Sequence, residues 1–249
     1  MSNGEIFQEI FLCPDSPCIA AGVKLGDIAI APLLTPTNPC TGDVVAGGLA
    51  EQTRTTLGQV DAFLTAASLT RADVARVTFF MSDLTDRKAM NPAWEEWYPD
   101  PKDRAPHKYV QAKLQDRMLI AAQMIAIRGA SRKILEVPGL VHQDPMSLGT
   151  VMGNLLTTSR IFAGQPGDDV EAQTALVFAN VDAVLKQASA DFSNVQQLTA
   201  FIGDSKFEAN VRSEFKGYLD KQGGDPVVNV LETDLGGPGF PRLEIIALV

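Results

Sequence analysis

Apolar positions in this chain fall into two rhythms, and both rhythms occur twice. Gly26–Leu34 (GDIAIAPLL) and Gly153–Ala163 (GNLLTTSRIFA) are short runs rich in Ile, Leu and Thr, which predicts strands. Leu49–Ala67 and Ala172–Ala188 follow the helical period. Leu57, Val60 and Leu64 form one stripe, and Val177, Val181 and Val184 the other. Val74–Met81 and Val195–Ile202 return to strand character. Asp86–Tyr98 and Lys206–Leu219 predict second helices, with Pro92 tolerated as a first-turn residue. Tyr109–Leu114 and Val227–Glu232 then open a closing β pair that ends at Ile127 and Val249.

The recurrence is a duplication. The segment from Gln52 aligns without a gap with the segment from Gln173, at a constant offset of 121 residues. Identities include Gln52/Gln173, Thr53/Thr174, Asp61/Asp182, Thr78/Thr199, Phe80/Phe201 and Asp83/Asp204. The expected organisation is two units, residues 1–129 and 133–249, joined by a short polar linker near Arg128–Arg132. Each unit reads as strands, helix, strand, helix, strands. That order predicts an α+β domain: one mostly antiparallel sheet covered on one face by two helices.

Composition narrows the function classes. The chain has 249 residues, 45% of them hydrophobic and 20% charged, as in ordinary globular proteins. Its formal charge of −9 disfavours a surface that tracks phosphates, so nucleic acid and anionic membrane are not expected partners. Cys13, Cys18 and Cys40 are an odd set, with only His107 and His142 to complement them. The expectation is reduced thiols rather than a disulfide framework or a zinc site. The acidic N-terminal stretch does not resemble a secretory leader, and no apolar run approaches a membrane span, so a cytoplasmic protein is expected.

With the elements in place, the chain resembles the Rid/YjgF family, in tandem. The carrying segments in the first copy are VKLGDIAIA, TPTNPCTGDVV, EQTRTTLGQVDAFLTAA and DVARVTFFMSDLTDRKAMNPAWEEWYP, followed by Arg104. In the second copy they are VMGNLLTTSRIFAGQPG, QTALVFANVDAVLKQA, VQQLTAFIGD and RLEIIALV. The resemblance implies a chorismate-mutase-like α+β fold, association in threes, and clefts between neighbouring domains. It also implies hydrolysis of reactive enamines and imines of amino acids to ammonia and a keto acid, with no metal or organic cofactor.

That chemistry needs a cation for the substrate carboxylate, a group to place water, and fixed donors for developing charge. By the resemblance, the cation before the penultimate strand is Arg104, with His107 or Lys108 as alternatives for that place, and one of His107, Lys108 and Tyr109 is expected to contact the ligand. The last-strand carboxylate is Glu244, and the first copy has Gln123 in its place. The helix Asn is Asn91 in one copy and Asn210 in the other, and Cys18 and Met146 stand where the family has a Tyr. The turn that supplies a backbone donor reads Ala31-Pro32-Leu33 in the first copy, where Pro has no N–H. In the second it reads Ser159-Arg160-Ile161, which keeps the donor and adds a guanidinium.

Neither copy carries the complete set. One expectation is a site shared between unlike domains, with Arg104 or Arg160 beside Glu244. The other is that one or both copies only build the assembly. The leading function is a cofactor-free deaminase of a 2-imino or 2-aminomuconate-type acid. A non-catalytic module binding a small carboxylate is the alternative. A ribonuclease is disfavoured by the acidic charge. The expected assembly is a homotrimer, a pseudo-hexamer of domains.

Overall fold

The computed structural model describes residues 7–13, 20–115, 117–142, 144–165, 167, 169–235 and 239–249. The chain divides into two compact units: Met1–Arg132 with Asp144–Met146, and Lys133–Gln143 with Ser147–Val249.

The first unit runs β1 (Phe7–Ile10), β2 (Gly22–Leu25), β3 (Ile28–Leu34), α1 (Leu49–Ala66), β4 (Val74–Met81), α2 (Asn91–Trp97), β5 (His107–Gln111) and β6 (Ile120–Ile127). The second repeats the plan with β7 (Lys133–Leu135), β8 (Gly149–Met152), β9 (Leu155–Thr158), α3 (Val170–Gln187), β10 (Val195–Ile202), α4 (Glu208–Gln222), β11 (Val227–Glu232) and β12 (Arg242–Leu248). The sheet orders are β1-β2-β3-β6-β4-β5 and β7-β8-β9-β12-β10-β11, which is one topology used twice. The α+β expectation holds.

Some elements differ from the sequence expectation. The closing strands do not pair with each other: β5 lies parallel to β4 on one side, and β6 lies antiparallel to β4 on the other. The crossover through α2 explains this, because it returns the chain to the starting end of β4, where only parallel pairing is open. The sheets are therefore mixed. Gly26 and Gly153 sit at positive φ, in the tight turns before β3 and β9 rather than inside those strands. The stretch Asp86–Tyr98 begins with a 3-10 turn, Arg87–Met90, before α2.

Each helix pair covers one sheet face. In the first unit Leu57, Val60, Phe63 and Leu64 of α1 join Ala29, Ala31, Val77, Phe79 and Met124 in one core. In the second, Val177, Phe178, Val181 and Leu185 meet Leu198, Ala200, Leu243, Ile245 and Ala247. The repeated Gln52 is buried and ties α1 to the loop before β6. Its Nε2 donates to Arg117 O at 2.7 Å and its Oε1 accepts from Leu119 N at 2.8 Å.

The expectation of reduced thiols is overturned for two cysteines. Cys13 and Cys40 form a disulfide, with Cα atoms 5.1 Å apart. Their separation of 27 residues hides this proximity. Sheet pairing of β1, β2 and β3 brings the segment after β1 close to the loop after β3. Cys18 lies outside the described residues. The polar stretch Arg128–Arg132 is more than a tether. The Arg132 side chain is only 1% exposed and is clasped by Asp103, Arg71 O, Val74 O and Tyr98 Oη. Among the described residues, no helix is long and apolar enough to cross a membrane.

Candidate functional site

The helices cover one face of each sheet, and along a strand alternate residues point to the opposite, outer face. On β12, Leu243, Ile245 and Ala247 face the core, so Arg242, Glu244 and Ile246 face outward. Glu244 lies directly across from Thr199 of β10, which lies across from Asn229 of β11. The adjacent outer row is Arg242, Phe201 and Leu231.

A bulge brings another residue to this face. Thr157 of β9 pairs with Ile246, and Ile161 makes an isolated bridge to Leu243. The β9 side thus has one residue more than β12 over this interval, and Ser159 and Arg160 together oppose Glu244. Such bulges re-aim side chains, often beside active sites. The Ser159 amide donates to Leu148 O (2.8 Å) and the Ile161 amide to Leu243 O (2.7 Å). The intervening Arg160 N–H takes no hydrogen bond with a described residue.

The Arg160 guanidinium lies over the Phe201 ring, 3.9 Å from its centroid. Its Nε and Nη2 are buried and have no hydrogen-bond partner among the described residues. Those two nitrogens form the fork edge that grips a carboxylate with two parallel bonds. Burial pushes the Arg160 pKa down to about 10, Arg242 adds to the fall, and Glu244 opposes it. Glu244 is buried, at 2% exposure. Arg242 is anchored through Nη2 to Leu235 O at 2.7 Å. The Ser159 hydroxyl is buried without a described partner.

The first unit has the same frame and different side chains. Ala31 pairs with Met124 and Leu34 with Ala122, so Pro32 and Leu33 together oppose Gln123. Gln123 lies across from Thr78, which lies across from Lys108, and Ala121 lies across from Phe80. Position by position, Leu33 replaces Arg160, Gln123 replaces Glu244, Ala121 replaces Arg242 and Lys108 replaces Asn229. At these four positions the first unit carries Lys108 as its one charge, and neutral side chains where the second has Arg160, Glu244 and Arg242.

The remaining sequence candidates spread over other parts of the fold. Arg104 precedes β5, and its Nε donates to Tyr98 O (3.0 Å) while Nη1 stands 3.6 Å from Glu95. Its fork therefore engages the end of α2. His107 and Tyr109 face the helices, with Lys108 between them on the outer side. His107 Nε2 is 2.8 Å from the Tyr109 hydroxyl, which donates to Asn91 Oδ1 at 3.3 Å. Burial raises the Tyr109 pKa, and the Asp144 carboxylate raises it further. Tyr109 thus remains a protonated donor. Phe79, Trp94 and His107 pack around this network. Trp94 Nε1 donates to Pro145 O at 2.8 Å, which anchors the segment containing Met146. Asn210 is half-buried in the first turn of α4.

Two outer-face residues escaped the sequence reading, Arg242 and Phe201. The signal for Arg242 was the period-two alternation Arg242-Leu243-Glu244, which puts both charges on one face. Among the described residues no group of His, Cys, Asp and Glu could hold a metal ion.

Comparison with known proteins covers most of this architecture. The family model described as Endoribonuclease L-PSP matches residues 21–128 and again 146–246. The 2-iminobutanoate/2-iminopropanoate deaminase of Escherichia coli K12 is 33% identical over 109 residues, which is 43% of this chain and 84% of that protein. A RutC family protein of Pyrococcus horikoshii is 33% identical over 97 residues, 39% of this chain and 76% of that protein. Among solved structures, a chorismatase shares the fold with a TM-score of 0.66 over 91% of this chain and 77% of its own, at 15% identity.

Proposed function

Because the chain belongs to the L-PSP (Rid/YjgF) family, we propose that it is a hydrolytic deaminase of imine or enamine carboxylic acids, working on the outer face of its second unit. Relatives about one-third identical carry deaminase names, which supports the reaction class. The single observation that carries the assignment is the buried Nε–Nη2 edge of Arg160, without a hydrogen-bond partner among the described residues, beside the buried Glu244.

In this reading Arg160 seats the substrate carboxylate. Its planar fork is held flat on Phe201, so little rotamer freedom is lost on binding. Glu244 orients a water and takes its proton as the oxygen attacks the C=N carbon. The C=N electron pair moves to nitrogen and leaves a tetrahedral carbinolamine. The Arg160 amide and the Ser159 hydroxyl are donors at the bulge for the charge that develops. Return of that proton from Glu244 to nitrogen makes an ammonium leaving group, and as the C–N bond breaks the hydroxyl proton passes to the Glu244 carboxylate, which releases ammonia and leaves the keto acid. The protonated imine is itself electrophilic, so these steps are written with no cofactor.

The first unit is assigned a supporting role. Gln123 cannot act as a base, and Leu33, at the place of Arg160, brings no charge. The family's association in threes extends the proposal to a homotrimer, which sedimentation in solution tests. The function is tested by following ammonia release from 2-iminobutanoate generated in situ. Wild type accelerates release over buffer, and Glu244→Gln and Arg160→Met each lose about 10²-fold or more. No acceleration by wild type overturns the enzyme reading in favour of a non-catalytic carboxylate binder. Unchanged rates in both variants overturn the site.

A further inference from the structure

One threonine is duplicated between the units, and its hydrogen bond is not. Thr78 and Thr199 hold matching register positions, each on the outer face of its sheet. Thr199 is buried, and its Oγ1 accepts from Gln197 Nε2 at 3.1 Å. Thr78 is buried too, and its hydroxyl has no hydrogen-bond partner among the described residues. The difference tracks two neighbours. Across the ladder, Thr199 opposes Glu244 where Thr78 opposes Gln123. Two residues earlier on the strand, Gln197 opposes Ile246 where Arg76 opposes Ile125.

The Thr199 hydroxyl has one proton, and Gln197 governs where it goes. An oxygen that accepts from Gln197 Nε2 keeps its own O–H for a second partner. Two residues flank Thr199 across the ladders of this face, Glu244 on β12 and Asn229 on β11. Asn229 is exposed and can bond to water. Glu244 is buried and, when ionised, only accepts. A buried carboxylate draws donors, because removal from water takes away its hydration. Directly opposed residues have Cβ atoms on the order of 5 Å apart, which is within reach of a hydroxyl and a glutamate.

We propose that Thr199 is a positioning residue for Glu244: its hydroxyl, oriented by Gln197, donates to one carboxylate oxygen and leaves the other to face the attacking water. This rests on the deaminase reading and on Glu244 as the group that takes the proton. A carboxylate held by a fixed donor keeps its second oxygen in place through attack and breakdown, so the gain falls on turnover rather than on substrate binding. In the first unit Thr78 faces a neutral amide and has no carboxylate to hold.

The experiment is steady-state ammonia release by the full chain from 2-iminobutanoate generated in situ. Thr199→Val, close to threonine in shape, is expected to lower kcat about tenfold, the value of one charge-assisted hydrogen bond, with KM moved less than about twofold. Thr199→Ser, which restores the donor, returns kcat to within about threefold of wild type. Gln197→Leu leaves the hydroxyl free to rotate and lowers kcat about threefold. Thr78→Val, the same change on the frame of the first unit, leaves kcat and KM as they are. With wild type active, an unchanged kcat or a rise in KM alone in Thr199→Val, no rescue by Ser, or equal losses in Thr78→Val and Thr199→Val overturns the proposal and leaves the deaminase reading standing. No turnover by wild type refutes that reading, and the role of Thr199 falls with it.

Discussion

Glu244 faces Thr199 directly across the β12–β10 ladder. The duplicated register sets Gln123 across from Thr78 in the first unit, so one frame carries a carboxylate in one copy and a neutral amide in the other. Restoring the carboxylate alone does not restore a site. Gln123→Glu in a Glu244→Gln background is expected to remain inactive in the ammonia assay, because Leu33 still stands where Arg160 does. Recovery of more than about a tenth of wild-type rate contradicts this.

Arg160 is held against folding. Its pKa in the folded protein is pushed down to about 10 by burial first and Arg242 second. A cation whose folded pKa is lowered disfavours the native state at neutral pH. The penalty fades as pH rises above about 10, where the folded protein releases the proton before the unfolded chain does. Arg160→Met is therefore expected to stabilise the protein at pH 7, by an upper bound on the order of 3 kcal/mol. Urea denaturation of both proteins should show the difference narrowing at pH 10.5 and above. A destabilised variant at pH 7 refutes the burial penalty.

The Arg132 clasp makes a different prediction. Its Nη1 donates to Asp103 O at 2.7 Å, and its Nη2 donates to Arg71 O at 3.0 Å and Val74 O at 2.8 Å. Arg132→Met leaves these carbonyls without their donor and costs about 2–4 kcal/mol in denaturant midpoint analysis. Arg132→Lys recovers little of this, because an ammonium cannot span the fan of carbonyls. Full recovery with Lys would show that charge alone matters.

The disulfide between Cys13 and Cys40 closes a loop that contains β2 and β3. Constraining the unfolded chain across that loop is worth about 2–4 kcal/mol. Dithiothreitol is expected to lower the melting temperature of wild type and to leave a Cys13→Ser/Cys40→Ser protein unmoved. Equal responses in the two proteins mean that the bond contributes nothing to stability.

Much of this protein was legible in its sequence because the informative signals are local and repeated. The helical stripes, the strand runs and the offset of 121 residues fix two α+β units. Glu244 stood out as a carboxylate in an apolar strand, and Arg160 as a cation inside a turn between apolar runs. The Pro32 expectation is corrected by the register: Pro32 matches Ser159, and Leu33, which has an N–H, stands at the Arg160 position.

Tertiary structure decided what depends on partners distant in the chain. That β5 pairs with β4 rather than β6 follows from the α2 crossover. That Cys13 meets Cys40 follows from the order of three strands. Arg104 and Arg160 look alike in sequence as cations near strand ends. The fold turns one into the end of α2 and sets the other over Phe201 with a fork edge that has no partner among the described residues. A one-residue bulge before Ile161 turns Arg160 to that face. Side-chain direction along a strand alternates with every residue, so a single inserted position decides which face a charge serves. Sequence periodicity alone does not mark where the insertion lies.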